Sequence, residues 1–159
     1  MMNEPAPLLF HASGKPGYTA TVRNAPQHVK ARKRAFTVKV RFTEMACVVA
    51  TLEGNVIAQA GDAIVTGLAG EQWPVARTHF AAKYSPIGPC ENGADGLYLS
   101  LPIDVIALPM RSAFTVMLCD GHSQLSGKAG DWLVDYGDGS LGIVAARLFE
   151  ATYEATEWD

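Results

Sequence analysis

The chain has 159 residues, of which 48% are hydrophobic and 18% are charged, so its composition is that of a globular protein and excludes a disordered or fibrous one. This length predicts one domain or two very small modules. The formal net charge of −3 argues against a dedicated nucleic-acid binder.

The first part of the chain is rich in proline and basic residues. Prolines at positions 5, 7, 16 and 26 predict that residues 1–28 form an N-terminal arm or a sheet edge and not an independent fold. Basic residues concentrate in the segment 30–41, whereas most acids come later in the chain. We expect this positive segment to lie on a solvated face or to pack beside the acidic remainder; the alternative is a phosphate-binding arm.

Two similar series of elements follow along the chain. Each consists of strands rich in β-branched and aromatic residues, a Gly-Asp turn, a glycine-rich hairpin and a short helix. The first series comprises strands at Phe36–Phe42, 45–52, Ala63–Thr66 and Gln72–Val75 and a helix at Arg77–Lys83. The second comprises strands at 114–118, 132–136 and Leu141–Val144 and a helix at Ala146–Thr152. Between them, 85–96 predicts a connecting loop and 97–110 an extended chain, because Pro102 and Pro109 disfavour both a helix and a central strand.

An internal repeat relates the two series. The segment AGDAIV at 60–65 matches AGDWLV at 129–134, and the alignment continues without gaps to Tyr84 and Tyr153. Farther upstream, AFTV at 35–38 matches AFTV at 113–116 with a different offset. We therefore predict an α+β, strand-dominated fold built from two tandem homologous β units, each closed by a short C-terminal helix. The expected boundaries are 29–84 for unit 1, 85–104 for the linker and 105–159 for unit 2, with both units packed as one globular domain.

The repeated segments resemble known families. The run GDWLVDYG at 130–137 is similar to the PGDYG protein family, although Ala129 stands where that family has proline. The N-terminal copy, with TLEG at 51–54, Gly61-Asp62 and GEQWPV at 70–75, resembles a small phage and prophage domain of unknown function. The resemblance implies a bacterial or phage-type small protein and implies no catalytic residue.

Aromatic and basic residues near the two hairpins form the candidate ligand site. Rings that can stack and guanidinium groups that can bind an anion suit a nucleotide or another anionic small molecule. The candidate ligand-binding residues are Trp73, Arg77, Trp132, Tyr136 and Arg147. The duplicated Gly61-Asp62 and Gly130-Asp131 pairs predict structural turns, in which the aspartate caps the backbone. The G-x-G-x-x-G pattern at 137–142 indicates a hairpin turn, because a strand follows it where a dinucleotide site needs a helix.

These patterns favour a non-enzymatic binding or interaction module; the alternative is a small enzyme that acts on a nucleotide-like or other anionic substrate between the repeats. Its expected partner is a small anionic ligand or another protein, and the sequence leaves a homodimer open. No segment predicts a membrane span, a secretory signal, a metal site or a cofactor site, which favours a cytoplasmic location.

Overall fold

The computed structural model describes residues 8–156, which form strands and three short helices. The strands are β1 (Leu8–His11), β2 (Val29–Lys33), β3 (Phe36–Phe42), β4 (Cys47–Thr51), β5 (Gly54–Ala58), β6 (Ala63–Thr66), β7 (Gln72–Val75), β8 (Tyr84–Pro86), β9 (Gly96–Ser100), β10 (Ile103–Pro109), β11 (Phe114–Met117), β12 (Gln124–Gly127), β13 (Trp132–Asp135), β14 (Leu141–Val144) and β15 (Tyr153–Ala155). The helices are α1 (Ala20–Arg23), α2 (Arg77–Lys83) and α3 (Ala146–Thr152). None of the described helices has the length and apolar character needed to cross a membrane.

Two five-stranded antiparallel sheets form the centre of the molecule. Sheet I has the order β7-β6-β3-β9-β8, and sheet II has the order β14-β13-β10-β2-β15. The chain order of the strands shows that β9 completes sheet I and that β2 completes sheet II. Each sheet therefore receives one strand from the opposite half of the chain.

Two β-hairpins cover the sheets. The β4-β5 hairpin, which we call hairpin I, packs Val49 and Ala58 against Ile64 of sheet I. The β11-β12 hairpin, hairpin II, extends with the parallel strand β1 into a three-stranded sheet. It contributes Phe114 and Val116 to the largest core cluster, which includes one face of sheet II.

Sheet II is buried on both faces, and this explains a long apolar run in its central strand. In β10 the residues from Val105 to Leu108 are all buried, with alternate residues in different core clusters. The expectation that its prolines keep this segment out of a central strand is wrong. Pro102 lies before the strand and Pro109 is its last residue, so neither proline interrupts the hydrogen bonds of its interior.

The upstream match of Phe36 with Phe114 is also wrong as a structural equivalence. In sheet I, β3 pairs with β6. In sheet II, the strand at the equivalent place is β10, which pairs with β13, whereas β11, which contains Phe114, belongs to hairpin II. Downstream, the expected spacing holds: β6, β7, α2 and β8 each have the same length as β13, β14, α3 and β15, respectively. The paired basic residues match the charge interpretation, because Arg32 contacts Asp104 at 2.7 Å and Arg34 contacts Glu154 at 3.9 Å.

Candidate functional site

A buried lysine lies at the end of strand β2. Side chains alternate between the two faces of a strand, so Val29, Ala31 and Lys33 share one face while Lys30 and Arg32 share the other. Ala31 is fully buried in the core of sheet II, and only 8% of Lys33 is exposed. The backbone pairing thus places a lysine in the row of core residues.

The ammonium group of Lys33 faces aromatic rings. Its Nζ atom lies 5.2 Å from the centroid of the Phe36 ring and 5.7 Å from that of the Trp73 ring, both in sheet I. Within residues 8–156, no carboxylate forms an ion pair with it. Burial, together with the nearby charge of Lys83, lowers the pKa of Lys33 to about 8, and the carboxylate of Glu71 partly opposes the shift.

A cavity of about 530 Å³ adjoins this lysine. Sheet I contributes strand β7 to its wall, sheet II contributes strand β14, and helices α2 and α3 and the turn of hairpin I complete the lining. Apolar side chains and aromatic rings provide most of the wall, and a few charged side chains reach into it. This combination is typical of small-molecule sites.

An ion pair connects helix α2 with the β13-β14 loop at the cavity. The Nζ atom of Lys83 lies 2.9 Å from Oδ2 of Asp138 and 5.0 Å from the centroid of the Tyr136 ring. Burial alone would raise the pKa of Asp138, but hydrogen bonds from Ser140 and Lys83 and the charge of Lys83 outweigh it and lower this pKa to about 2. His79 also approaches the carboxylate, with Nδ1 at 3.5 Å. Lys83 therefore has a charge partner, whereas Lys33 has none among the described residues.

The turn of hairpin I brings a carboxyl group to the same cavity. The Thr51 hydroxyl donates to the carbonyl of Gly54 at 2.7 Å and accepts from the amide of Glu53 at 3.2 Å, which closes the turn. Gly54 has a φ of +145° that favours glycine, and an added Cβ would lie 3.1 Å from the carbonyl of Gln124. Burial raises the pKa of Glu53 to about 7, with smaller contributions from nearby carboxylates. Glu53 can accordingly both donate and accept a proton near neutral pH.

Each of the two five-stranded sheets has one large ring in a hairpin: Trp73 in the β6-β7 hairpin and Tyr136 in the β13-β14 hairpin. Trp73 lies in the returning strand of its hairpin, where a Cβ on Gly67 would lie 2.8 Å from the indole ring. Tyr136 lies after the outgoing strand of the other hairpin, where a Cβ on Gly142 would lie 2.8 Å from its hydroxyl. Each hairpin therefore combines one large ring with one glycine that leaves room for it.

Both rings also contact a buried tyrosine that follows a helix. Trp73 Nε1 donates to the Tyr84 hydroxyl at 3.3 Å, and the hydroxyl groups of Tyr136 and Tyr153 share a hydrogen bond. Burial raises the pKa of Tyr84 and of Tyr153, so both phenols stay protonated at neutral pH. The cavity wall thus contains neutral hydroxyl groups beside the lysine.

The structure brings two of the five candidate ligand residues, Trp73 and Tyr136, to the cavity. Trp132 lies instead against Phe149, with ring centroids 4.0 Å apart and nearly parallel planes. Arg77 and Arg147 are exposed at the beginnings of their helices and do not line the cavity. The guanidinium groups and the rings therefore do not form one cluster.

The two Gly-Asp pairs occupy similar turns. Asp62 accepts a hydrogen bond from the amide of Gln59 at 2.9 Å, and Asp131 accepts one from the amide of Lys128 at 3.1 Å. The glycines before them have φ angles of +90° and +98°, which L side chains rarely adopt. The aspartate side chains therefore bond to the local backbone of the turns.

The charged residues at the cavity were not among the candidates from the sequence. The alternation in 29–33 contained a signal for Lys33, because the lysine falls on the face shared by Val29 and Ala31. No comparable local signal marks Glu53 or Lys83, which reach the cavity only through tertiary packing. Among residues 8–156, no group of three His, Cys, Asp or Glu side chains is arranged to hold a metal ion.

Comparisons with known proteins bear on the family of this chain. A family model described as PGDYG protein matches residues 54–154, well over half of the chain. The match includes the segment 54–84, for which no comparison supports the expected relation to a phage domain. Neither the curated proteins nor the solved structures provide a match. The extent of the match shows that the chain belongs to the PGDYG protein family.

Proposed function

We propose that this protein is a binding module for a small organic anion, which occupies the cavity between the two sheets. The observation that carries the proposal is the Lys33 ammonium group, which is buried against aromatic rings without a carboxylate partner in the described part of the chain. A buried charge is costly unless an opposite charge accompanies it. A ligand carboxylate or phosphate would supply that charge.

The remaining wall of the cavity indicates the shape of the ligand. Phe36 and Trp73 offer ring surfaces beside Lys33, and Tyr136 offers another beside Lys83. A planar apolar group can lie against such rings while its anionic end contacts the ammonium group. We therefore expect a ligand that combines an aromatic or other flat apolar part with one anionic group.

We further infer that the cavity lies between two homologous units of a duplicated chain. Sheets I and II have equivalent strand orders, in which β7, β6, β3, β9 and β8 correspond to β14, β13, β10, β2 and β15, respectively. A hairpin also follows the central strand, β3 or β10, in each unit. Backbone contacts are repeated as well: the amide of Thr43 donates to Asp62 at 2.9 Å, and that of Met110 donates to Asp131 at 3.0 Å. Units that exchange their first strands offer a shared interface where a ligand site can form.

Thermal unfolding with a panel of nucleoside monophosphates and aromatic carboxylates tests the binding proposal. A bound ligand at 100 times its dissociation constant adds about 2.7 kcal/mol of stability. For a domain of this length, that gain raises Tm by roughly 5–11 °C. Lys33→Met should abolish the shift, whereas Lys39→Met, on the exposed face of β3, should keep it. No shift with any member of the panel, or an equal shift in Lys33→Met, would refute the proposal.

An enzyme acting on an anionic substrate is the second candidate, and Glu53 is the observation that favours it. Its carboxyl group lines the same cavity and has a pKa of about 7, as a general acid or base requires. A ligand found by the binding screen should then be converted on prolonged incubation. Glu53→Gln should abolish conversion while leaving binding within roughly 3-fold, a change of less than about 1 kcal/mol.

A further inference from the structure

We propose that Lys33 is a carbonyl-binding amine, which condenses with an aldehyde or ketone ligand in the cavity to form a Schiff base. The geometry points to this role because Nζ lies at an apolar wall between the two sheets, facing the Phe36 and Trp73 rings, and no described carboxylate holds it in an ion pair. The inference rests on the proposed use of the cavity as a ligand site and adds a second ligand class, an uncharged carbonyl compound. Such a ligand takes the place of the anion at Nζ, because one amine cannot pair with an anion and attack a carbonyl carbon at once.

The surroundings of Lys33 favour the neutral amine that such a reaction needs. Lys83 is the nearby cation that disfavours the ammonium form, and Glu71 is the carboxylate that partly opposes this effect. Tyr153 lies opposite Lys33 in strand β15, and its buried phenol stays neutral. With a pKa of about 8, Lys33 has roughly 200-fold more neutral amine at pH 7 than an ordinary lysine. Lysines desolvated beside another cation are known nucleophiles toward carbonyl groups.

The condensation balances without any oxidant or reductant. The neutral Nζ of Lys33 donates its electron pair to the carbonyl carbon, the C–N bond forms, and the carbonyl oxygen takes a proton. The hydroxyl group of the carbinolamine then takes a second proton and leaves as water, while the nitrogen gives up its remaining N–H proton, leaving a C=N bond. In total the nitrogen gives up two protons and the oxygen takes up two.

Glu53 is the carboxyl group in the cavity wall that suits these proton transfers. It lines the same cavity as Lys33, and its raised pKa leaves both its acid and its base form populated at neutral pH. We therefore expect Glu53→Gln to slow the condensation without changing the lysine that reacts. A slower condensation at the same lysine indicates a proton-transfer role for Glu53, whereas a structural role would also change which lysine reacts.

Reductive trapping of the full-length protein tests the proposal. We would incubate it with benzaldehyde and cyanoborohydride at pH 7, measure the intact mass and locate the adduct by peptide mapping. The expected result is one adduct per chain, on Lys33, formed roughly 10-fold or more faster than adducts on exposed lysines. Lys39→Met should react like the wild type, whereas Lys33→Met and Lys33→Arg should lose the fast adduct. Thermal unfolding of each variant would verify that it is folded.

Two outcomes would overturn the proposal: slow labelling spread over surface lysines, or fast labelling that persists in Lys33→Met. Binding of benzoate, which has no aldehyde or ketone group, separates this result from the proposed anion site. If benzoate binds and the aldehyde is not trapped, the anion site stands and the condensation does not. Lys33→Arg should still bind benzoate, because it keeps the positive charge without the nucleophilic amine.

Discussion

A lysine in a core row is the central feature at the scale of single residues. Strand β2 places Lys33 on the face that it shares with the buried Ala31. The ammonium group faces aromatic rings, Glu71 compensates its charge only in part, and no described carboxylate forms an ion pair with it. Rings offset part of the desolvation cost of a cation but do not replace a carboxylate. Lys33 consequently costs stability in the unliganded protein, as functional residues often do.

Replacing Lys33 by methionine should stabilise the protein while removing anion binding. Methionine has a similar length and no charge to bury, so we expect the free energy of unfolding at pH 7 to rise by roughly 1–3 kcal/mol. Urea unfolding measures this change, with Lys39→Met as the exposed control, expected within about 0.5 kcal/mol of the wild type. A loss of stability in Lys33→Met would contradict the assigned burial of an unpaired charge.

The pH dependence of the free energy of unfolding should reveal the lowered pKa of Lys33. The pKa of Lys33 is about 8 in the folded protein and 10.5 for an ordinary lysine, so at pH values between these the unfolded chain holds a proton that the folded chain has lost. Stability contributed by this group should therefore rise from pH 8 upward. The difference between wild type and Lys33→Met isolates it, and should shrink between pH 8 and 10. A difference that stays constant over this range would show that Lys33 titrates normally.

At the scale of elements, the hairpin-and-helix pairs are the part that the sequence predicted best. The bounds of β6, β7, α2, β14 and α3 agree with the predicted ones, because local turn chemistry and side-chain spacing determine them. Ring contacts are repeated at the same spacing in both pairs, with Phe80 stacked on Tyr84 at 4.9 Å and Phe149 on Tyr153 at 4.8 Å. In both cases the tyrosine begins the strand after the helix and does not belong to the helix itself.

Removing the central ring of helix α3 tests this packing. Phe149 is stacked between Trp132 and Tyr153, so Phe149→Ala leaves an unfilled space in the core of sheet II. We expect a loss of roughly 3–5 kcal/mol in the free energy of unfolding. Arg147→Ala, at an exposed position of the same helix, should change it by less than about 0.5 kcal/mol. A loss below about 1 kcal/mol for Phe149→Ala would contradict the observed stacking.

The sequence did not predict which strands and turns contact each other when they lie far apart along the chain. Strand β2 pairs with β10 and β15, and the turn that carries Glu53 contacts Ser126 of hairpin II. No turn or spacing signal indicates such pairs, since side-chain alternation specifies the buried face of a strand but not its neighbour. The candidate site was incomplete for the same reason. Trp73 and Tyr136 were recognisable as rings, whereas the alternation in 29–33 marked Lys33 as a buried lysine without indicating the rings or the cavity beside it.

At the scale of the whole molecule, the exchanged strands β2 and β9 connect the two sheets. Sheet I lacks an inner strand without residues 96–100, and sheet II lacks one without residues 29–33. Neither half of the chain contains all the strands of one sheet. The two sheets therefore depend on each other for their hydrogen bonds, although each has its own core cluster.

Dividing the chain between Asn92 and Gly93, in the loop before β9, tests this dependence. Each piece alone should lack the far-ultraviolet circular dichroism of a folded sheet protein and elute as an expanded chain. When mixed or coexpressed, the two pieces should associate one to one and regain the spectrum of the intact protein. A folded first piece on its own would show that sheet I does not need β9.

The pairing of β2 with β15 also has a consequence for synthesis on the ribosome. Strand β2 emerges before both of its neighbours, β10 and β15, so the nascent polypeptide must keep an open β edge until both have been made. Contacts between such distant segments slow folding, because a long loop must close before they form. Co-translational folding of the first half is therefore disfavoured, and the sheet that holds Lys33 is completed only after β15 has left the exit tunnel.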